Sequence, residues 1–314
     1  RRLAYAVARH LKALRDDHEV EIRTNAAVSE LCIEDGHVCG VGLADSTRIE
    51  AASVILATGG ASYPATGSTG DGYALARAAG HTVTEIFPAL VPLVTSDAWV
   101  KDVQGLSLRN VRASLYHAGK KEQDFFGEML FTHFGVTGPI ILQLSRRASE
   151  LLAAGTPDLE LRLNLKPALT HEKLRERVER DFATYERKQL RNAMIDLLPK
   201  RLIEPVLNAA GLSPERFAQQ ISSKERERLV QTLQALPLTV TGTRPIAEAI
   251  VTAGGVATRE IDPRTMESKI VKHLYFVGEL VDVDAYTGGY NLQAAFSMGH
   301  AAGSYSVWNL EGDK

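Results

Sequence analysis

The segment that most restricts the fold is His273-Leu-Tyr-Phe-Val-Gly278-Glu279-Leu-Val-Asp282, followed by Tyr286-Thr-Gly288-Gly289-Tyr290-Asn291-Leu292-Gln293. A short apolar strand ends in Gly-Glu, a glycine pair follows, and a helix starts at once. This layout brings a carboxylate and a bare helix N-terminus to one place. The unpaired N–H groups of that terminus, with its partial positive charge, favour anionic or electron-rich ligand groups. The glycine pair lets a flat ligand approach the backbone. Together these features read as a cofactor site, with a plain strand–helix turn as the alternative.

A second cluster follows the run Ser53-Val-Ile-Leu-Ala-Thr58. That run is short and apolar, of the kind buried on both faces of a parallel sheet. It ends in Gly59-Gly60, and open α/β sheets bind ligands at the carboxyl ends of their strands. The loop beyond it, Thr66-Gly67-Ser68-Thr69-Gly70-Asp71-Gly72-Tyr73, can fold against a flat ligand. It is neither a Walker loop nor a G-x-G-x-x-G turn. A long turn leading into a helix over Tyr73–Ala79 is the alternative reading.

The chain has 314 residues, enough for two domains, and its 45% hydrophobic and 24% charged content is that of a globular protein. A formal net charge of −2 gives no global attraction for nucleic acid or anionic membrane. No apolar run approaches the roughly 20 residues that cross a bilayer. The opening Arg1-Arg2-Leu3-Ala4-Tyr5 has no signal-peptide pattern, so a cytoplasmic location is expected. The nine histidines and two cysteines show none of the usual metal-ligand spacings.

Texture along the chain indicates one domain interrupted by another. Leu3, Val7, Leu11 and Leu14 predict a first helix, followed by strands at 20–23, 27–33 and 38–43. Asp35-Gly36 is a two-residue hairpin turn whose register sets Cys32 opposite Cys39. A cross-strand disulfide and a pair of buried thiols in a reducing compartment both suit that register. Alternating stretches such as 112–117 and 159–164 predict antiparallel strands within 88–165. Residues 170–236 read as helical: Thr170 is an N-cap, Ser213-Pro214-Glu215 a second helix start, and Ser222-x-x-Glu225 a capping box. Strand texture returns at 238–241. The charged run 172–181 mixes signs and repeats its apolar positions at helical spacing, which makes it a solvated helix face rather than a nucleic-acid surface.

Several motifs carry a family resemblance. Ala57-Thr58-Gly59-Gly60, the loop 69–73 and the C-terminal Gly-Glu…Gly-Gly-Tyr-Asn-Leu-Gln resemble the FAD-binding elements of glutathione-reductase and fumarate-reductase type flavoproteins. More narrowly, Gly127-Glu-Met-Leu-Phe-Thr-His-Phe-Gly-Val-Thr-Gly-Pro139, Ala253-Gly-Gly-Val256 and Thr265-Met-Glu-Ser-Lys269 resemble the BaiN-type, aminoacetone-oxidase-like FAD-dependent oxidoreductases. The resemblance implies an α/β fold. Its Rossmann-like FAD-binding domain (1–87 and 253–314), lacking a first βαβ unit, is interrupted by a β-barrel-like substrate domain (88–166 and 237–252). A helical insertion (167–236), expected to stay clear of the cofactor, completes the chain.

Carried over by position, the backbone of Val28 meets the adenine, and Thr58, Gly59 and Gly60 line the cofactor, with Gly67, Gly70 and Asp71 beside them. Glu279 faces the ribityl region, with Gly278 also cofactor-binding, and Gly289, Tyr290, Asn291 and Leu292 cover the pyrimidine edge. FAD is the implied cofactor, NAD(P)H a possible electron donor, and a small molecule the substrate; His133 is the one histidine in a motif-like context and the candidate catalytic residue. Oligomeric state is not legible. Against the family pattern, the chain has no G-x-G-x-x-G turn, begins within a family-internal helix, and carries Ala285 where glycine is expected. Weaker FAD binding than in a complete family member is therefore expected, by about a thousandfold if two or three charge-assisted contacts are lost. A catalytically inert binding or structural module is the alternative to an oxidoreductase.

Overall fold

The computed structural model describes residues 9–14, 16–17, 20–155 and 158–312. Residues 9–14 are helical, with Leu11 exposed and Leu14 half-buried, whereas Leu3 and Val7 lie outside the described residues. Residues 20–23 form no strand, in contrast to the sequence expectation. Val20 and Ile22 are both exposed, so neither face of this stretch has apolar surface to pair against.

Three strands, β1 (Val28–Glu34), β2 (His37–Leu43) and β3 (Arg48–Glu50), form an antiparallel meander. Asp35 and Gly36 turn the first hairpin with φ of 50° and 78°, the left-handed pair that a two-residue turn requires. The cysteine register differs from expectation. Cys32 pairs with Gly40 and Ile33 with Val38, so Cys39 is the extra residue of a bulge. Both thiols are free, and Cys39 Sγ accepts a hydrogen bond from Arg48 at 3.2 Å.

β4 (Val54–Leu56) lies parallel to β13 (Leu274–Phe276), in register Val54–Leu274 to Leu56–Phe276. Among the described residues β13 is its sole partner strand, and Ile55 is 38% exposed. The run is therefore not buried on both faces, and among the described residues its second edge carries no strand. β4 leads through the 57–70 loop into helix α1 (Asp71–Ala78), which packs Tyr73, Leu75 and Ala76 into the core with Tyr275, Phe276 and Leu280.

β5 (Phe87–Ala89) carries the chain out of this domain, and β12 (Val251–Ala253) brings it back. The two pair antiparallel, Val251 opposite Ala89 and Ala253 opposite Phe87, as a two-stranded neck. Beyond the neck, β6 (Leu93–Thr95), β7 (Ser107–His117), β8 (Lys120–Phe131), β9 (Gly135–Thr137), β10 (Leu159–Asn164) and β11 (Leu236–Thr243) close a barrel in the order β10-β11-β6-β9-β8-β7. Period-two patterning fixes what faces inward. Leu159, Leu161 and Leu163 are buried while their alternates are half-buried, and Leu236, Leu238 and Val240 are buried while theirs are exposed. The expected strands 112–117 and 159–164 turn out to be partners, Arg112 opposite Asn164.

Helix α2 (Pro139–Ala153) starts at Gly138 and buries Ile140, Ile141, Leu144 and Ala148 against the barrel. Between β10 and β11 run α3 (His171–Thr184), α4 (Leu190–Ala193), α5 (Lys200–Ala209) and α6 (Ser223–Gln234). Thr170 caps α3 by accepting from Lys173 N–H, and Ser222 and Glu225 form the full capping box of α6. No helix starts at Ser213: its hydroxyl bonds the Glu215 carboxylate at 2.7 Å, and that carboxylate also meets Arg191. The last helix, α7 (Tyr290–Gly312), packs on the β13 side of the first domain. Among the described residues no helix is long and apolar enough to cross a membrane.

Barrel and helices share one apolar core, in which Leu174, Leu207 and Leu229 join Leu161 and Leu238. Leu229→Ala in α6 is thus expected to cost about 2–5 kcal/mol and to loosen barrel and helices together. Hydrogen exchange checks this: faster exchange confined to α6 would contradict a shared core.

In the first domain, buried His81 stands against the Phe276 ring at 4.6 Å. Ser268 Oγ accepts the N–H groups of Ile270 (3.0 Å) and Val271 (2.8 Å), which leaves its proton for His81 Nε2 at 2.8 Å. Burial lowers the His81 pKa below its ordinary 6.5, with Glu260 opposing. A depressed histidine favours the fold above its unfolded pKa and loses that contribution as pH falls towards the folded value. The thermal midpoint should fall more between about pH 7.5 and about pH 5.5 in the native chain than in His81→Gln. Equal falls would show that His81 carries no acid sensitivity.

Candidate functional site

The expected segments 278–279 and 288–292 meet beside the neck. Gly278, Glu279, Gly288, Gly289, Asn291 and Leu292 border a cavity of about 440 Å³, inside the range of small-molecule sites. Apolar residues that the sequence reading missed complete its lining: Leu90, Ile250 and Val251 at the neck, with Ala294, Ala295 and Met298 on α7.

Glu279 is fixed by three elements distant in sequence. Its Oε1 accepts the Thr252 N–H at 2.5 Å and the Ser62 hydroxyl at 3.1 Å. Thr252 Oγ1 in turn accepts the N–H groups of Ala61 (2.8 Å) and Ser62 (3.1 Å). Buried Thr252 therefore ties β12 to the loop after β4 and to the carboxylate. Gly60 fits beneath this junction only because it lacks a side chain: a Cβ there would stand 2.4 Å from Thr252 Oγ1 and 2.9 Å from Glu279 Cδ. The Tyr73 hydroxyl donates to the Glu279 carbonyl at 3.4 Å, and burial, then Glu279 and Asp282, push its pKa up.

The start of α7 is bare. The Gln293 N–H reaches back to Gly289 O at 3.0 Å, so the N–H groups of the three preceding residues have no acceptor one turn earlier. Gly288 and Gly289 hold φ of 128° and 89° there, and a Cβ on Gly289 would meet nothing within 4 Å. The Asn291 side chain does not cap this end. It clasps Ala285 instead, accepting its N–H and donating to its carbonyl, each at 2.8 Å. Ala285 is not among the positive-φ residues, so its backbone does not require glycine.

Other expected residues do not line the cavity. Thr58 packs under Gly72, and Gly59 (φ 74°) sits over Ser68, both on the β4 loop that leads to Gly60. Gly70 precedes α1 with φ 86°, Asp71 is its first residue, and Gly67 closes the preceding turn. Val28 opens β1 and packs against the first-domain core. Tyr290 borders a neighbouring recess rather than the cavity. His133 is exposed on the β8–β9 turn, its ring on Phe134 at 5.0 Å, and reaches neither. Its motif has a packing cause: a Cβ on Gly135 would lie 2.2 Å from Leu93 O, and one on Gly138 2.8 Å from Met129 Cα. No residue of 167–236 borders the cavity.

Comparison with known proteins settles the family. Residues 87–251 match the family described as HI0933-like protein barrel and H2TH domain, and residues 2–107 match the FAD binding domain family. The chain belongs to the BaiN-type, HI0933-like family of FAD-dependent oxidoreductases. A 3-dehydro-bile acid delta(4,6)-reductase of Clostridium scindens is 33% identical over 260 residues, covering 83% of this chain and 63% of the relative. A ribosomal RNA dihydrouridine synthase of Haemophilus influenzae is 31% identical over 302 residues, 95% of this chain and 71% of the relative. A protein of the same name from Escherichia coli is 32% identical over 248 residues, 79% and 59% respectively. The chain thus spans 63% of the length of the first of these relatives.

The residues present fit a flavin: bare α7 donors, an anchored carboxylate and open space beside Gly289 meet on one cavity. Thr252→Val should leave the Ala61 and Ser62 N–H groups without an acceptor and cost about 1–3 kcal/mol of stability. FAD affinity should fall with it, because the Ala61–Ser62 loop, which sets the Ser62 hydroxyl on Glu279, is no longer tied to β12. Urea unfolding and FAD titration read the two effects; unchanged values in both would remove Thr252 from the site.

Proposed function

We propose that this protein is a flavin-dependent oxidoreductase that passes two electrons between bound FAD and a small organic substrate, with NAD(P)H as the electron donor. The observation that carries this reading is the convergence of the bare α7 start, Gly288-Gly289 and Glu279 on one cavity walled by Leu90, Ile250 and Val251. FAD supplies the redox chemistry when bound. The N–H groups at the head of α7 would stabilise negative charge on the pyrimidine edge without reorganising. Glu279, held by Thr252 and Ser62, would accept a ribityl hydroxyl. The apolar wall would shield the reacting face from water once a substrate lies on it.

Relatives named a delta(4,6)-reductase and a dihydrouridine synthase support one reaction class, and we read this chain as reducing a carbon–carbon double bond. A small substrate is our reading over nucleic acid: the formal net charge is −2, and three arginines of the helical insertion pair with acids, Arg177 with Asp181, Arg191 with Glu204 and Glu215, and Arg216 with Glu225. The free thiols Cys32 and Cys39 suit a reducing, cytoplasmic compartment.

The test is to load the protein with FAD and add NADPH or NADH without oxygen. A yellow protein that bleaches with a nicotinamide, and regains colour with a substrate carrying a conjugated double bond, is expected. Gly289→Val, forcing a branched side chain to φ 89°, should weaken FAD at least about tenfold through strain and loss of the ligand's space. A protein that takes up no FAD would leave the binding-module reading in place.

A further inference from the structure

The β1–β3 meander carries a reactive cluster that the flavin site does not use. Arg48 Nη2 donates to Glu34 Oε1 at 2.9 Å and to Cys39 Sγ at 3.2 Å, and Cys39, Glu34 and Arg48 line one open recess on the surface. We propose that Cys32 and Cys39 are a modification site: a dithiol that hydrogen peroxide closes to a disulfide across the β1–β2 bulge, with Arg48 as the cation beside the sulfurs. The proposal stands independently of the flavin reading.

The bulge is what brings the two sulfurs to one side of the sheet. Strand alternation turns Leu31, Ile33 and Val38 to the first-domain core, so Cys32 and Glu34 lie on the outer face of β1. Cys32 pairs with Gly40 and Ile33 with Val38, so Cys39 and Gly40 together oppose Cys32. A regular strand would send Cys39 and Gly40 to opposite faces. Here Gly40 shares the face of Cys32 as its partner, and Cys39 shares it too, because its sulfur meets Arg48, which pairs with Gly42 on that face. Gly40 puts no side chain between the thiols. Residues opposed in an antiparallel pair lie about 4.5–5.5 Å apart at Cα, inside the span of a disulfide. Both cysteines are half-buried and free, within reach of a small oxidant.

The fold holds this geometry from outside the hairpin. Cys39 O accepts the Ala51 N–H at 3.1 Å, Lys272 N–H donates to Gly36 O at 2.9 Å, and Val38 N–H donates to Lys272 O at 3.1 Å. The neighbouring charges divide the work between the sulfurs. Glu34, then Cys32 and Cys39, raise the Arg48 pKa and keep its guanidinium charged. Burial, then Glu34, push the Cys39 thiol above its ordinary range, with Arg48 opposing. Cys39 therefore keeps its proton, and Glu34 lies within hydrogen-bond reach to take it.

Cys32 is then the first nucleophile. Its thiolate attacks one peroxide oxygen: the S–O bond forms, the O–O bond breaks, and hydroxide leaves as water with the proton that Cys32 gave up. The Cys39 sulfur, its proton passing to Glu34, attacks the Cys32 sulfenic acid. The S–S bond forms, the S–O bond breaks, and the second hydroxide leaves as water with the proton from Glu34. Two thiols lose two electrons and peroxide gains them. In a reducing compartment the thiols are the resting state and the disulfide a transient response.

The experiment treats the reduced full chain with hydrogen peroxide, quenches with an alkylating agent and reads the intact mass. The native chain should lose two hydrogen atoms and both alkylation sites, at a rate independent of protein concentration, and dithiothreitol should restore them. Closure should be at least about tenfold faster than in the urea-unfolded chain, where sequence proximity acts without the bulge. Arg48→Gln should close about tenfold more slowly. Cys39→Ser should accumulate a Cys32 sulfenic acid that dimedone captures, and Cys32→Ser should not. Each of four outcomes overturns the proposal: thiols still open to alkylation after peroxide, closure no faster in the native chain than in urea, equal rates in native and Arg48→Gln, or dimedone captured in Cys32→Ser but not in Cys39→Ser.

Discussion

The structure depends on the pairing of β5 with β12. Among the described residues these short strands are the only two crossings of the chain between the first domain and the barrel, and their hydrogen bonds fix where the barrel's apolar residues meet the cofactor loops. Thr252, in the middle of β12, converts that backbone pairing into a site. One face of the residue takes up the N–H groups after Gly60, and its own N–H holds Glu279. Burying these groups without partners would be costly, so the neck, the β4 loop and the carboxylate keep one arrangement.

The parts of the fold legible in sequence were those carried by local periodicity. Alternation over 159–164 and helical spacing with capping residues at Thr170 and Ser222 are properties of neighbouring residues, and the chain obeys them. The departures came where a distant partner decided. Ser213 had the sequence of a helix cap, but Glu215 took its hydroxyl. The hairpin at Asp35-Gly36 was readable, yet the bulge at Cys39 displaced the cysteine register by a residue that the pattern does not encode. The apolar run at 54–56 gave its strand, not the number of its neighbours.

The candidate site divides along the same line. Gly278, Glu279, Gly289 and the α7 start were visible because glycine and a helix boundary have local signatures. Thr252, Leu90, Ile250 and Tyr286 have none: each is an ordinary residue until the neck folds. A Thr set between the end of the barrel and Ala-Gly-Gly-Val was the nearest thing to a signal. The conspicuous glycines around His133 were a signal too, but for crowding of β9 between β6 and β8 rather than for chemistry.

A closed barrel has no strand edge to offer, and its two ends leave it side by side through the neck. For the host domain, the whole barrel-and-helix unit therefore occupies the position of a single tight loop between Phe87 and Ala253. Closing such a loop costs the host little however long the inserted chain becomes, since the ends are already joined by hydrogen bonds. The arrangement permits exchange: one flavin-holding domain could carry different barrels on the same pair of strands, and change what it reduces without altering how it holds the cofactor.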